Sequence, residues 1–155
     1  MSGSIVVLWI CVHLLSSAVP AVAQSVCAVT PNATGHVYVS TQVIPTSAFS
    51  GCTDLEYLTL ADTVTTIGES AFNDCYFLRS VRIPDSVISI GGRAFKGNYN
   101  LLSVTIADSV TSIGASAFQN NYNLLSLTIP DSVTDIPYFY AITVYRFEAF
   151  RFHLH

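Results

Sequence analysis

The sequence predicts a repeat solenoid: short parallel β-strands stacked coil on coil into a curved sheet, with short helical or 3-10 turns between them. Two observations predict it. Phenylalanine recurs at Phe49, Phe72, Phe95 and Phe118, at a constant interval with no insertion. Apolar columns keep the same spacing: Leu55, Leu78, Leu101, Leu124; then Leu58, Val81, Val104, Leu127; then Leu60, Ile83, Ile106, Ile129. Val64, Val87, Val110 and Val133 form another, as do Ile44, Ile67, Ile90, Ile113 and Ile136, and Ala48, Ala71, Ala94 and Ala117 precede each phenylalanine.

The chain divides accordingly: 1–23 a signal segment, 24–43 an N-terminal cap, 44–136 four repeats of equal length, and 137–155 an atypical aromatic tail. Ile5 to Leu15 is an apolar run, and Ala21-Val22-Ala23 offers small residues for cleavage before Gln24. The run is shorter than the about 20 residues that span a bilayer, so it reads as a cleaved secretory signal. No Lys or Arg precedes it, which leaves an uncleaved anchor as the alternative. Either way the remainder is expected outside the cytosol, secreted or at the cell surface, with no later membrane span. Asn32-Ala33-Thr34 fits that location as a glycosylation acceptor at Asn32. In the cap, "GHVYVSTQV" alternates around Val37 and Val39 and should add a first strand over the first coil.

Each repeat reads as a closed loop of chain. "LEYLTL", "LRSVRI", "LLSVTI" and "LLSLTI" alternate with period two at their ends, as a strand buried on one face does. Pro84 and Pro130 stand just after it, where a residue without an N–H ends the ladder. Asp62, Asp85, Asp108 and Asp131 follow, each before Ser or Thr, as turn residues whose carboxylates accept backbone N–H groups. Gly68, Gly91 and Gly114 are expected to supply a positive φ at the next corner. A short helix or 3-10 turn should then bury the Ala-Phe pair. Cys52, Cys75, Asn98 and Asn121 share a column suited to satisfying backbone groups of the neighbouring coil. Tyr76, Tyr99 and Tyr122 should stack outside it as a packing ladder.

The units "IGESAFNDCYFLRSVRIPDSV", "IGGRAFKGNYNLLSVTIADSV" and "IGASAFQNNYNLLSLTIPDSV" resemble the BspA-like leucine-rich repeats, whose hallmark they fill at nearly every position. The resemblance runs from about Ile44 to Ile136 and implies a leucine-rich-repeat solenoid. It also implies a secreted or surface-displayed protein associated with adhesion to host or matrix proteins and to other cells. Proteins of this kind usually bind through the concave sheet face. Here that face comprises Glu56, Tyr57 and Thr59; Arg79, Ser80 and Arg82; Leu102, Ser103 and Thr105; and Leu125, Ser126 and Thr128. Tyr and Arg are frequent interface anchors, and exposed leucines point to a partner or to self-association.

Other chemistry finds little support. A net charge of −4 with six Lys/Arg offers no basic stripe for nucleic acid. His13, His36, His153 and His155 all lie outside the repeats, so no catalytic constellation forms, and no enzyme, cofactor or metal site is expected. One carboxylate per coil falls short of a calcium shell. Three cysteines follow the signal: Cys27, Cys52 and Cys75. Cys52 and Cys75 are close enough in their column for a bond to be conceivable. A Cys27–Cys52 bridge would instead pin the cap, and buried free thiols are the third reading. The tail "PYFYAITVYRFEAFRFHLH" loses the repeat pattern. Residues Ile142 to Phe150 alternate and could lie over the open end as a strand or helix. If nothing covers that end, Val133 and Ile136 are exposed and the chain should self-associate. The sequence thus points to an extracellular protein-binding or adhesion module, with a self-associating surface component as the alternative.

Overall fold

The computed structural model describes residues 35–134 and the backbone of 150–151. The signal segment, Cys27, Asn32, Ile136 and most of the tail lie outside the described residues. Two parallel sheets run the length of the stack. The longer strands are β1 (His36–Val39), β3 (Tyr57–Leu60), β5 (Ser80–Arg82), β7 (Ser103–Thr105), β9 (Ser126–Thr128) and β10 (Phe150–Arg151), which pair in that order. The two-residue strands β2 (Val43–Ile44), β4 (Thr66–Ile67), β6 (Ser89–Ile90) and β8 (Ser112–Ile113) form the second sheet. The fold is the leucine-rich-repeat solenoid that the sequence predicts.

Register follows the repeat. Val81 pairs with Val104 and Val104 with Leu127, so each apolar column becomes one buried row. The first coil is the exception, since His36 pairs with Tyr57 and Val39 with Leu60, a shorter step than in any later coil. The difference lies in its corner: Val39 reaches Ile44 without the Ala-Asp pair that separates Leu60 from Ile67. At the other end the full step returns. Phe150 pairs with Leu127 and Arg151 with Thr128. The sequence carries a trace of this, because Phe147, Phe150 and Phe152 stand one repeat length after Leu124, Leu127 and Ile129. Phenylalanine in place of leucine hid the pattern. Val133 is buried.

The inward residues of both sheets join one core with the phenylalanines between them. Phe49, Phe72, Phe95 and Phe118 stack face to face, with centroids 5.0, 5.2 and 5.5 Å apart and planes within 11°. The strand spacing of about 4.8 Å imposes this near-parallel stack in place of the edge-to-face geometry that isolated rings favour.

Three expectations need correction. No helix or 3-10 turn occurs among the described residues; consecutive turns carry the Ala-Phe segment. The cause is two left-handed residues per coil: Ser47, Ser70, Arg93 and Ser116 in one column, and Gly51, Asp74, Gly97 and Asn120 in the other. A positive φ every fourth residue stops any helix from propagating.

Gly68, Gly91 and Gly114 do not carry the positive φ; none of them is among the left-handed residues. They are glycine because neighbouring coils touch backbone to backbone there. A Cβ on Gly68 would lie 2.6 Å from the Ile44 carbonyl oxygen, and one on Gly91 would lie 2.6 Å from the Glu69 nitrogen. Nor do the corner aspartates cap the turn. Among the described residues Asp62, Asp85, Asp108 and Asp131 are exposed and make no side-chain hydrogen bond. In three of the four corners the hydroxyl that follows ties the coils instead, whereas Ser86 Oγ, after Asp85, is buried without a hydrogen-bond partner. Thr63 donates to the Ser40 carbonyl at 2.7 Å, Ser109 to Val87 at 2.8 Å and Ser132 to Val110 at 2.6 Å.

Candidate binding face

Alternation along the longer strands presents two columns on the face opposite the core, and the residue just before each strand adds a third. Tyr38, Thr59, Arg82, Thr105 and Thr128 form the first, and beyond it the backbone of Arg151 pairs with that of Thr128. His36, Tyr57, Ser80, Ser103 and Ser126 form the second. Glu56, Arg79, Leu102 and Leu125 form the third, at the strand entrances, where each N–H donates to the carbonyl one coil earlier. The predicted residues therefore come together on one surface. Glu56 and Ser103 are half-buried and the other predicted face residues are exposed. The structure adds His36 and Tyr38. Sequence reasoning left them in the cap, although the alternation of Val37 and Val39 turns both outward.

The face changes character along the stack. On β1, β3 and β5 it bears tall side chains, with Tyr38 and Tyr57 about half exposed. Across β7 and β9 it falls to Ser and Thr, bordered by Leu102 and Leu125 at 44% and 47% exposure. Arg79 Nε meets Glu56 Oε2 at 3.3 Å across two strands. The Arg79 side chain is exposed and the Glu56 side chain partly so, so the pair contributes only about 0–1 kcal/mol. Arg82 has no ion-pair partner among the described residues. His36 Nε2 lies 2.8 Å from Thr59 Oγ1.

Around the corner, Tyr76, Tyr99 and Tyr122 stack as expected, with centroids 5.0 and 5.3 Å apart. Asn100 and Asn123 reinforce that ladder by donating to the Tyr76 and Tyr99 carbonyls at 2.8 and 2.7 Å. The Asp74 carboxylate pushes the Tyr76 phenol up. Behind it, Cys75 is a fully buried free thiol that donates to the Phe49 carbonyl at 3.1 Å. Burial pushes its thiol up to about 12, against a hydrogen bond from the Cys52 amide and with a smaller push from Asp74. Cys52 is disulfide-bonded. Since Cys75 is free, the Cys52–Cys75 bond is not formed, and the Cys27 end of the expected bridge lies outside the described residues. No group of three or more His, Cys, Asp or Glu among the described residues is placed to hold a metal ion. No described helix is long and apolar enough to cross a membrane.

Solved structures of similar architecture are leucine-rich repeat proteins. One from Bacteroides ovatus is 33% identical with a TM-score of 0.66, over 75% of this chain and 29% of its own. The T. pallidum leucine rich repeat protein is 29% identical with a TM-score of 0.62, over 65% and 50%. The pneumococcal vaccine antigen PcpA is 27% identical with a TM-score of 0.56, over 63% and 25%. The chain thus spans half or less of the length of each. No curated protein matches it. The BspA type leucine rich repeat region matches residues 35–142 in six copies. The constant register, the stacked phenylalanines and this match agree: the chain belongs to the BspA-type leucine-rich-repeat family.

Proposed function

We propose that the protein is a non-enzymatic extracellular binding or adhesion module that engages a protein partner through the outer face of its longer sheet. Leucine-rich-repeat proteins of this type generally serve as protein-interaction scaffolds, and the face described above is where this chain differs from coil to coil. The observation that carries the reading is the contrast between columns. Inward positions repeat almost unchanged, whereas the outward ones run Glu56, Arg79, Leu102, Leu125 and Tyr38, Thr59, Arg82, Thr105, Thr128. Selection for folding alone places no demand for tyrosine, arginine and leucine on a solvated surface.

The expected secretory signal at 1–23 and the acceptor at Asn32 favour an extracellular setting, and a Cys27–Cys52 bridge would suit it. Self-association through an uncovered end has less to drive it, because Val133 is buried and β10 pairs onto β9. The test is capture of extracellular proteins by the immobilised full chain, compared with Tyr57→Glu and Leu125→Glu at the two ends of the face. Loss of the captured proteins with unchanged thermal stability supports the reading. Identical capture by both variants overturns it.

A further inference from the structure

The first two strands of the longer sheet carry a side-chain arrangement that the later described pairs do not repeat. His36 pairs with Tyr57 and Tyr38 with Thr59, so four outward side chains mark the corners of one square. His36 Nε2 and Thr59 Oγ1 close one diagonal at 2.8 Å. The tyrosines hold the other diagonal, across which such residues stand about 7–8 Å apart. Tyr38 and Tyr57 are each about half exposed, and their side chains make no ring contact or hydrogen bond among the described residues. Two separate phenol rings therefore flank a low, hydrogen-bonded bridge. Arg82 follows Tyr38 and Thr59 in the same column. Its guanidinium makes no ion pair or hydrogen bond among the described residues.

We propose that the slot between Tyr38 and Tyr57 binds a proline-rich segment of a partner protein in the polyproline II conformation, laid across the strands. The proposal rests on the protein-binding reading above and names the chemistry of the partner. A gap of this width takes one pyrrolidine ring between two phenols, each of which offers it an apolar ring face. The hydrogen-bonding groups are complementary as well. A proline offers a carbonyl and no N–H, and a polyproline II segment makes no internal hydrogen bonds. Tyr38, Tyr57 and Arg82 can all donate, while the one carboxylate of the described face, Glu56, is engaged by Arg79 at 3.3 Å. Spacing gives a third match. Polyproline II has three residues per turn and rises about 3.1 Å per residue, so prolines at i and i+3 share a side about 9 Å apart. Two strand steps of about 4.8 Å cover the same distance. With one proline in the slot between β1 and β3, the next lies between β5 and β7, beside Arg82 and over the short side chains Ser103 and Thr105. A chain already held in polyproline II also loses little entropy on docking.

The experiment is fluorescence anisotropy with the full chain and three labelled peptides of equal length. One carries prolines three positions apart among Ser and Ala, one has every proline replaced by alanine, and one has every proline replaced by phenylalanine. The proline peptide should bind, with Tyr38→Ala and Tyr57→Ala each raising Kd about tenfold. Tyr57→Phe, which keeps the ring and the fold, should raise it less. Ile88→Ala, exposed on the second sheet, should leave Kd unchanged, and added salt should alter it little because no ion pair forms. Equal binding of the alanine peptide, tighter binding of the phenylalanine peptide, or indifference to both tyrosine-to-alanine variants overturns the proposal. Partner capture that is lost in Tyr57→Glu but not displaced by excess proline peptide would overturn it while leaving the protein-binding reading intact.

Discussion

The backbone N–H of Cys75 donates to Asn98 Oδ1 at 2.8 Å, one coil further on, and the Asn98 N–H repeats the bond to Asn121 Oδ1 at 2.9 Å. Asn98 also donates through Nδ2 to the Phe95 carbonyl at 3.1 Å, so one buried amide serves two coils. Asn98→Ala leaves the Cys75 N–H and the Phe95 carbonyl with one partner fewer in a dry interior. An unsatisfied buried group costs about 1–3 kcal/mol, and urea denaturation should show a loss of about 3 kcal/mol. Asn98→Cys should lose less, because the Cys75 thiol occupies the equivalent place in its own coil. Equal losses for the two variants would refute this account of the ladder.

Adjacent glycines in the third repeat separate two reasons for glycine. A Cβ at Gly91 would strike the Glu69 backbone at 2.6 Å, whereas one at Gly92 meets nothing nearer than the Ala115 carbonyl at 3.3 Å. Neither residue is left-handed. Gly91→Ala should force the coils apart and cost about 3 kcal/mol. Gly92→Ala should change stability by less than about 1 kcal/mol, part of any clash being offset by reduced freedom of the unfolded chain. Thermal melts of the two variants check this directly.

These glycines also mark the limit of what was legible. A column of Phe, Leu, Val and Ile announces burial by its chemistry, so the core, the strands and most of the binding face could be read from spacing. A glycine column announces only that a side chain is unwelcome. Whether φ or a neighbouring coil forbids it depends on contacts a full repeat away. The left-handed positions were hidden for the converse reason, since Ser70, Arg93 and Ser116 hold a conformation usually signalled by glycine. His36 and Tyr38 were missed because the shortened first corner puts them off the grid of the later coils. The face chemistry itself does not repeat, so periodicity could locate it without saying what it binds.

Phe95 lies between Phe72 and Phe118, fully buried, with centroids at 5.2 and 5.5 Å. Phe95→Ala should cost about 3–5 kcal/mol, with the cavity flanked by two rings held apart by strand spacing and unable to close. Phe95→Leu should cost visibly less. Calorimetric melts giving the two variants the same midpoint would mean that the stack bears little of the stability.

Reduction of the Cys52 disulfide should lower stability by about 2–4 kcal/mol. The expected partner is Cys27, so a non-reduced digest should yield one linked peptide pair containing Cys27 and Cys52, and Cys75 in a peptide of its own. Recovery of Cys52 linked to any other cysteine would reassign the bridge.

Cys75 predicts a pH dependence with a definite sign. Its thiol moves from 9.0 to about 12 on folding, chiefly through burial. Below 9.0 both folded and unfolded chains hold the proton and the thiol leaves stability unchanged. Above it the unfolded chain ionises first, binds fewer protons than the native state, and stability falls as pH climbs toward about 12. Tyr76, raised by Asp74, acts in the same direction, so the informative quantity is the difference between wild type and Cys75→Ser. The serine hydroxyl can keep the bond to the Phe49 carbonyl and does not titrate in this range, so its unfolding free energy should decline less steeply. Iodoacetamide at about pH 8, below the ordinary thiol range, should leave Cys75 unmodified until urea unfolds the chain. Rapid labelling of the native protein, or parallel pH profiles for the two proteins, would contradict a thiol sealed between coils.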